Sequence, residues 1–250
     1  MKVVGIIPAR YDSTRFPGKP LASIKGKSMI QRVYKQAQQA LAHVCVATDD
    51  KRIKDEVLAF GGIVVMTSTH HESGTDRCAE AVVKYEHLKG IKVDVVINIQ
   101  GDEPFIDPIQ IKQLTNVFFK KNIEIATLIK KITDIEVLDN KNRVKVVVDK
   151  NANALYFSRS SIPFVRNAPK SKWIEKQDFY QHIGMYGYKK DTLLEICKLP
   201  KSVLELAESL EQLRWLENGY KIKTAITNIE SIGIDTPDDL EKLLGSVDFE

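Results

Sequence analysis

Cysteine is scarce in this chain, with only Cys45, Cys78 and Cys197 among 250 residues. The three are odd in number, widely spaced and form no C-x-x-C pair, which argues against a disulfide framework or a structural zinc site and points to a reducing cytoplasm. Histidine is scarce too: of five, only His70 and His71 are neighbours, and no metal-binding His spacing occurs. Charge of one sign is never concentrated. Lys and Arg total 37 against 33 acids, a net charge of +4, without a run of five like charges. That balance permits anionic small molecules and does not call for nucleic acid. No apolar run approaches the roughly 18–20 residues of a membrane span. The apolar N-terminus, Met1 to Pro8, is too short for a signal peptide and runs straight into Arg10 and Asp12. Repeats, low-complexity tracts and an obvious linker are also lacking.

What is present is a soluble globular composition, 43% hydrophobic and 28% charged, long enough to bury a sizeable core. The first half alternates two periods. Strands are expected at 3–8, 43–48, 63–66 and 93–99, with amphipathic helices at about 28–42, 53–60 and 76–88. This alternation predicts an α/β fold, an open, mostly parallel twisted sheet with helices on both faces. Further on, 108–120 reads as helix, and 123–129, 143–149, 154–158, 182–188 and 221–227 as strands. The segment 167–177 reads as a loop. Leu206, Leu210, Leu213 and Leu216 suggest one helical face, ended by Asn218-Gly219, and Thr236-Pro237 starts a last helix. The expectation is one domain, 1–250, with a smaller mixed subdomain near 155–225.

Three segments carry chemistry. After the first strand, Arg10, Arg15 and Lys19 fall within ten residues, beside Ser13 and Thr14. Ligands of open α/β sheets bind at that carboxyl edge, and Arg grips phosphate bidentately. A solvated surface turn is the plain alternative. The glycine fingerprint G-x-G-x-x-G is absent, which leaves a nicotinamide dehydrogenase poorly supported. Gly26-Lys27-Ser28 is no P-loop either, since Leu21 stands where its first glycine would be. Ser28 reads instead as a helix cap. After the fourth strand, Gly101 allows an unusual turn from which Asp102 projects, an acid suited to hold Mg²⁺ against phosphate; a common Gly-Asp turn is the alternative. Asp235, in Gly233-Ile234-Asp235-Thr236-Pro237, is either a second metal ligand or part of a helix start.

Taken in order, IPARYDSTRFPGKPL at 7–21, SGTDR at 73–77, NIQGDEP at 98–104, ALYFSRSSIPF at 154–164, QHIGMYGY at 181–188, LELAESLEQLRWLENG at 204–219 and GIDTPDDL at 233–240 resemble the 3-deoxy-manno-octulosonate (Kdo) cytidylyltransferases, the CMP-Kdo synthetases of Gram-negative bacteria. The N-terminal loop is shared by many nucleotidyltransferases; QGDEP with HIGMYGY is more specific. The resemblance implies a Rossmann-like nucleotidyltransferase that converts CTP and Kdo to CMP-Kdo and pyrophosphate for lipopolysaccharide biosynthesis, with Mg²⁺ as cofactor. It implies that Ala9, Arg10, Ser13, Arg15, Lys19, Ser73, Gly74, Arg77 and Gln100 bind nucleotide, with Arg10, Lys19 and Asp102 catalytic. Asp102 and Asp235 would hold one or two Mg²⁺.

For the sugar acid, a cation and several neutral hydrogen-bonding groups are needed, and Arg159, His182, Tyr186, Glu211 and Gln212 supply that mixture. His182, Gly184 and Tyr186 alternate, so they share one sheet face, with too little apolar bulk for a core. A core histidine and a solvated 211–212 face are the bland readings. Aromatics are dense near 155–225 (Tyr156, Phe157, Phe164, Trp173, Phe179, Tyr186, Tyr188), which suits an interface as well as a pocket. The family implies a homodimer. A cytidylyltransferase for an amino-sugar analogue or sialic acid remains open, as does a nucleotide-binding regulator, though Lys19 with both acids argues against the latter.

Overall fold

A computed structural model of the chain describes residues 1–12, 14–230 and 233–246. The chain forms two compact units, residues 1–112 with 231–250, and residues 113–230. The segment 155–225 lies wholly within the second, which starts earlier, at Gln113.

The first unit contains β1 (Val3–Ala9), the small β2–β3 hairpin (Ser23–Ile24, Lys27–Ser28), α1 (Met29–Ala40), β4 (Val44–Thr48), α2 (Lys51–Ala59), β5 (Val64–Met66), α3 (Gly74–Lys89) and β6 (Val95–Asn98). Next comes α4 (Pro108–Val117), within which the units divide. The strands run β5-β4-β1-β6, all parallel. Every residue of β4 and β6 is buried, so cover lies on both faces, as a parallel sheet of β-branched strands requires. From β1 the chain steps outward to β4 and β5, and then α3 carries it back to β6 on β1's other side. The direction of travel therefore reverses between β1 and β6, the switch point where open α/β sheets bind ligands.

Helix starts follow capping chemistry. Ser28 Oγ accepts from Gln31 N at 3.3 Å, and Ser73 Oγ from Asp76 N at 3.1 Å, each satisfying a donor that the first turn leaves unpaired. Residues 233–246 return to this unit and include α10 (Pro237–Ser246). Ile234 and Leu243 pack with Ile24 and Met29, and Ile234 N donates to Asp102 O at 2.9 Å. Thr236 Oγ1 accepts from Asp239 N at 3.2 Å, as a cap does.

In the second unit, β11 (Ile222–Ile226) runs parallel to β7 (Ile125–Lys131), and β10 (Tyr180–Lys189) antiparallel to β7. The antiparallel pair β8 (Lys145–Val148) and β9 (Ala154–Ser158) joins at β10. Short helices complete it: α5 (Ile135–Asp139), α6 (Trp173–Lys176), α7 (Lys190–Ile196), α8 (Val203–Glu208) and α9 (Gln212–Glu217).

Two sequence expectations are corrected here. The segment 167–177 is not simply a loop: it holds a 3-10 turn, Lys170–Lys172, and α6. Trp173 is buried, stacks on Phe179 at 6.1 Å and donates its indole N–H to Ala168 O, which folds the segment inward. The Leu206–Leu216 face is not one helix. Ser209 takes a left-handed conformation (φ 51°) between α8 and α9, leaving Leu206 exposed while Leu210 and Leu213 are buried. The bend lets Arg214 clasp Glu205 through two hydrogen bonds of 2.8 and 2.6 Å. Among the described residues, no helix is long and apolar enough to cross a membrane.

Candidate active site

A cavity of about 280 Å³ opens at the β1/β6 switch point. Its floor is backbone in close approach. A Cβ on Gly101 would lie 2.9 Å from Pro8 O, so the loop after β6 reaches β1 this closely only because the residue is glycine; one on Gly74 would lie 3.3 Å from Pro8 Cγ, a tight contact at the start of α3.

The β1 loop supplies Ala9, Arg10, Arg15 and Lys19 to this cavity, the α3 start Ser73, Gly74 and Arg77, and the β6 loop Gln100 and Asp102; Asp235 joins from the returning segment. All the nucleotide-binding and metal-binding candidates thus line one cavity except Ser13, which lies outside the described residues. Lys19 is placed by a tight turn in which Gly18 is left-handed (φ 72°). Its ammonium donates to Asp102 Oδ2 at 2.7 Å and to Ile234 O at 2.9 Å, and lies 3.6 Å from Asp235 Oδ1. Arg15 pairs with the same Asp235 at 3.2 Å. Arg10 stays exposed at the cavity's edge.

Arg77 lines the cavity yet is committed to protein. Its guanidinium donates to Thr67 Oγ1 at 2.6 Å and to Asp49 at 2.7 Å, tying the loops after β4 and β5 to α3. Five other lining residues, Pro8, Pro20, His71, Glu72 and Gly101, were not among the candidates read from the sequence. The adjacent His70-His71 pair was visible, but only as a spacing that excluded metal.

The sugar candidates all lie in the second unit. Arg159 donates from Nε to Glu208 O at 2.7 Å, and through its terminal nitrogens to Lys141 O and Ser209 O at 3.3 Å, closing the end of α8. His182 and Tyr186 do share a face, their rings 5.1 Å apart. That face is not short of apolar bulk, however: Phe157 packs edge-on to His182, and Trp215 edge-on to Tyr186. A bulge between Ile183 and Tyr186 keeps both in register with β7.

Thr127 Oγ1 donates to Met185 O at 2.8 Å, so it accepts from His182 Nε2 at 3.0 Å. Burial drives His182 down to about 3, leaving it neutral near pH 7. Burial, and then the charge of Glu211, push Tyr186 well above the ordinary phenol range. The Tyr186 hydroxyl is buried with no partner among the described residues. Gln212 is buried at the start of α9, and Glu211 lies 3.8 Å from Arg214.

A sheet that reverses direction beside a cationic loop and two convergent carboxylates defines a nucleotidyltransferase. The cytidylyltransferase family model matches residues 4–223, and the chain belongs to that family. Within it, the chain is 59% identical to the 3-deoxy-manno-octulosonate cytidylyltransferase of Parabacteroides distasonis over 98% of this chain and 97% of that protein. It is likewise 59% identical to that of Bacteroides thetaiotaomicron, over 96% of each. A solved CMP:2-keto-3-deoxy-manno-octonic acid synthetase complexed with CTP superposes with a TM-score of 0.88 at 44% identity, covering 98% of both chains.

Proposed function

We propose that this chain is a 3-deoxy-manno-octulosonate cytidylyltransferase, activating Kdo with CTP to give CMP-Kdo and pyrophosphate for lipopolysaccharide biosynthesis. The observation that carries this reading is the convergence of Arg10, Arg15, Lys19, Asp102 and Asp235 on one cavity in a chain so similar to enzymes of that name. The Kdo C2 hydroxyl attacks the α-phosphorus in line and pyrophosphate leaves, chemistry that depends on positioning and electrostatics. Arg10 and Lys19 neutralise charge on the α-phosphate and the leaving group. His182, Tyr186, Glu211 and Gln212 read the sugar acid's hydroxyls. Arg159 is the cation proposed for its carboxylate.

The donor set fits Mg²⁺. Asp102 and Asp235 already converge on one cationic atom, at 2.7 and 3.6 Å from Lys19 Nζ. Two carboxylates completed by substrate phosphates are a usual Mg²⁺ arrangement. Bound there, the metal would neutralise the phosphates and make the attacking hydroxyl more acidic.

Cytoplasmic residence is proposed on the three free cysteines, of which Cys45 and Cys78 are buried. A homodimer is proposed through the 155–225 region, where Leu155, Phe164 and Leu206 are 60%, 74% and 64% exposed. Sedimentation as a monomer at micromolar concentration would reject it. The activity itself is tested by pyrophosphate release from CTP with Kdo, an amino-sugar analogue or sialic acid, with and without Mg²⁺. Release with Kdo only, and only with metal, is the expected result; turnover on another sugar acid alone would move the assignment.

A further inference from the structure

The nucleotide cavity is lined by two chemically different sets of residues: Arg10, Arg15 and Lys19 from the loop after β1, and His71, Glu72 and Ser73 from the segment that leads into α3. A triphosphate is drawn to the cations and repelled by Glu72, whereas the neutral base can sit against His71 and Glu72.

The two ring nitrogens of His71 are unequal. Nε2 makes a short hydrogen bond to Glu80 Oε2. Glu80 is itself held on other sides, by Ser68 N at 2.8 Å and by Lys84 Nζ at 2.6 Å. Lys84 in turn donates to Met66 O at 2.9 Å, so α3 clasps the whole 66–71 segment. Burial pushes the Glu80 carboxyl up, but the hydrogen bonds from Lys84, Ser68 and His71 outweigh it and bring it down to about 2. An ionised carboxylate can only accept, so Nε2 carries the hydrogen. In the neutral imidazole, Nδ1 is then an acceptor. Nδ1 makes no hydrogen bond among the described residues, and His71 is one of the residues that line the cavity.

We propose that His71, locked by Glu80 into its Nε2–H tautomer, is a specificity-determining residue. Its Nδ1 accepts a hydrogen bond from the exocyclic amino group of cytosine. Uracil presents a carbonyl oxygen at that position, so two acceptors would face each other and UTP is refused. Glu80 is the positioning residue, acting on the base only through the imidazole. This rests on the cavity being the CTP site.

The test compares kcat/KM for CTP and UTP, with Kdo as acceptor, in the wild type, His71→Leu and Glu80→Gln. Losing the acceptor should shrink the CTP:UTP preference at least about tenfold in His71→Leu. Glu80→Gln, whose amide can donate to Nε2 and release the tautomer, should shrink it less. A parallel loss for both nucleotides, with the ratio unchanged, would overturn the proposal. Nitrogen NMR of the wild type tests it without a variant: Nε2 is expected protonated and Nδ1 bare, and the reverse would overturn it. Lys19→Met, measured alongside, separates the two readings. Undiminished turnover there would take the nucleotide out of this cavity and overturn both readings. An impaired Lys19→Met with an unchanged ratio in His71→Leu would overturn only the role of His71.

Discussion

Replacing Arg214 by Met isolates the clasp between α8 and α9. In the wild type, Arg214 and Glu205 are 7% and 8% exposed and share two hydrogen bonds of 2.8 and 2.6 Å. Met fills much of the same volume, so the dominant loss is the charge partner. Glu205 would keep its cap bond to Ser202 N at 3.1 Å but hold an uncompensated charge. Breaking a buried pair in this way costs about 3–5 kcal/mol. For a chain of this size that is a fall in Tm of roughly 6–20 °C, at about 2–4 °C per kcal/mol.

The loss should depend on pH with a definite sign. In the wild type, burial raises the Glu205 carboxyl, and Arg214 with the Ser202 amide brings it below its ordinary 4.5. Its stabilising contribution is therefore present above 4.5 and fades as pH falls through the lower folded value. Without Arg214, burial prevails, and the folded carboxyl titrates above its unfolded value. The variant's deficit is then largest at neutral pH and narrows on acidification towards 4.5. Urea melts of both proteins at pH 8, 7, 6 and 5 measure this. A deficit independent of pH, or one that widens on acidification, would refute the reasoning. Since α9 carries Gln212 and places Trp215 against Tyr186, KM for Kdo should rise in Arg214→Met while KM for CTP changes little.

Three other outcomes are expected. Asp102→Asn and Asp235→Asn each lower turnover at least about a hundredfold, roughly 3 kcal/mol of lost transition-state stabilisation; near wild-type rates for both at saturating Mg²⁺ would remove the metal from this pair. Tyr186→Phe raises KM for Kdo by about 0.5–1.5 kcal/mol, a few-fold, and leaves CTP unaffected; an equal effect on CTP would place Tyr186 in the wrong pocket. Glu80, lowered from 4.5 to about 2, contributes stability that is present above pH 4.5 and lost as pH falls towards 2; acid titrations of wild type and Glu80→Gln should converge there, and a constant difference between them would contradict it.

The first unit was legible because its signals are local. Apolar β-branched runs gave β1, β4, β5 and β6, and Ser28 marked the start of α1. Arg10, Lys19 and Asp102 could be joined in advance because loops at the carboxyl ends of neighbouring parallel strands must meet. His71 was not legible. Its partner Glu80 lies nine residues on, and only the turn between β5 and α3 brings them together. In the second unit the signals mislead. Leu206 to Leu216 keeps a helical period through the break at Ser209, because the buried Glu205–Arg214 pair, not periodicity, sets the chain's path there. Trp173 folds a polar stretch inward that composition alone reads as a loop. The face of His182 and Tyr186 looked bare of apolar bulk because Phe157 and Trp215 come from distant strands and helices.

Lys19 reaches Ile234 across 215 residues of chain, which bears on how the protein is made. On a ribosome adding about 5–20 residues per second, Lys19 waits roughly 10–40 s for that carbonyl to be synthesised. Once Val95–Asn98 have been made, the strands of the β1/β6 crevice can pair while Ile234 is still to come. The apolar side of Ile24 and Met29, later covered by Ile234 and Leu243, stays open to water or to a chaperone. Nascent chains therefore acquire the crevice before the acid that completes it.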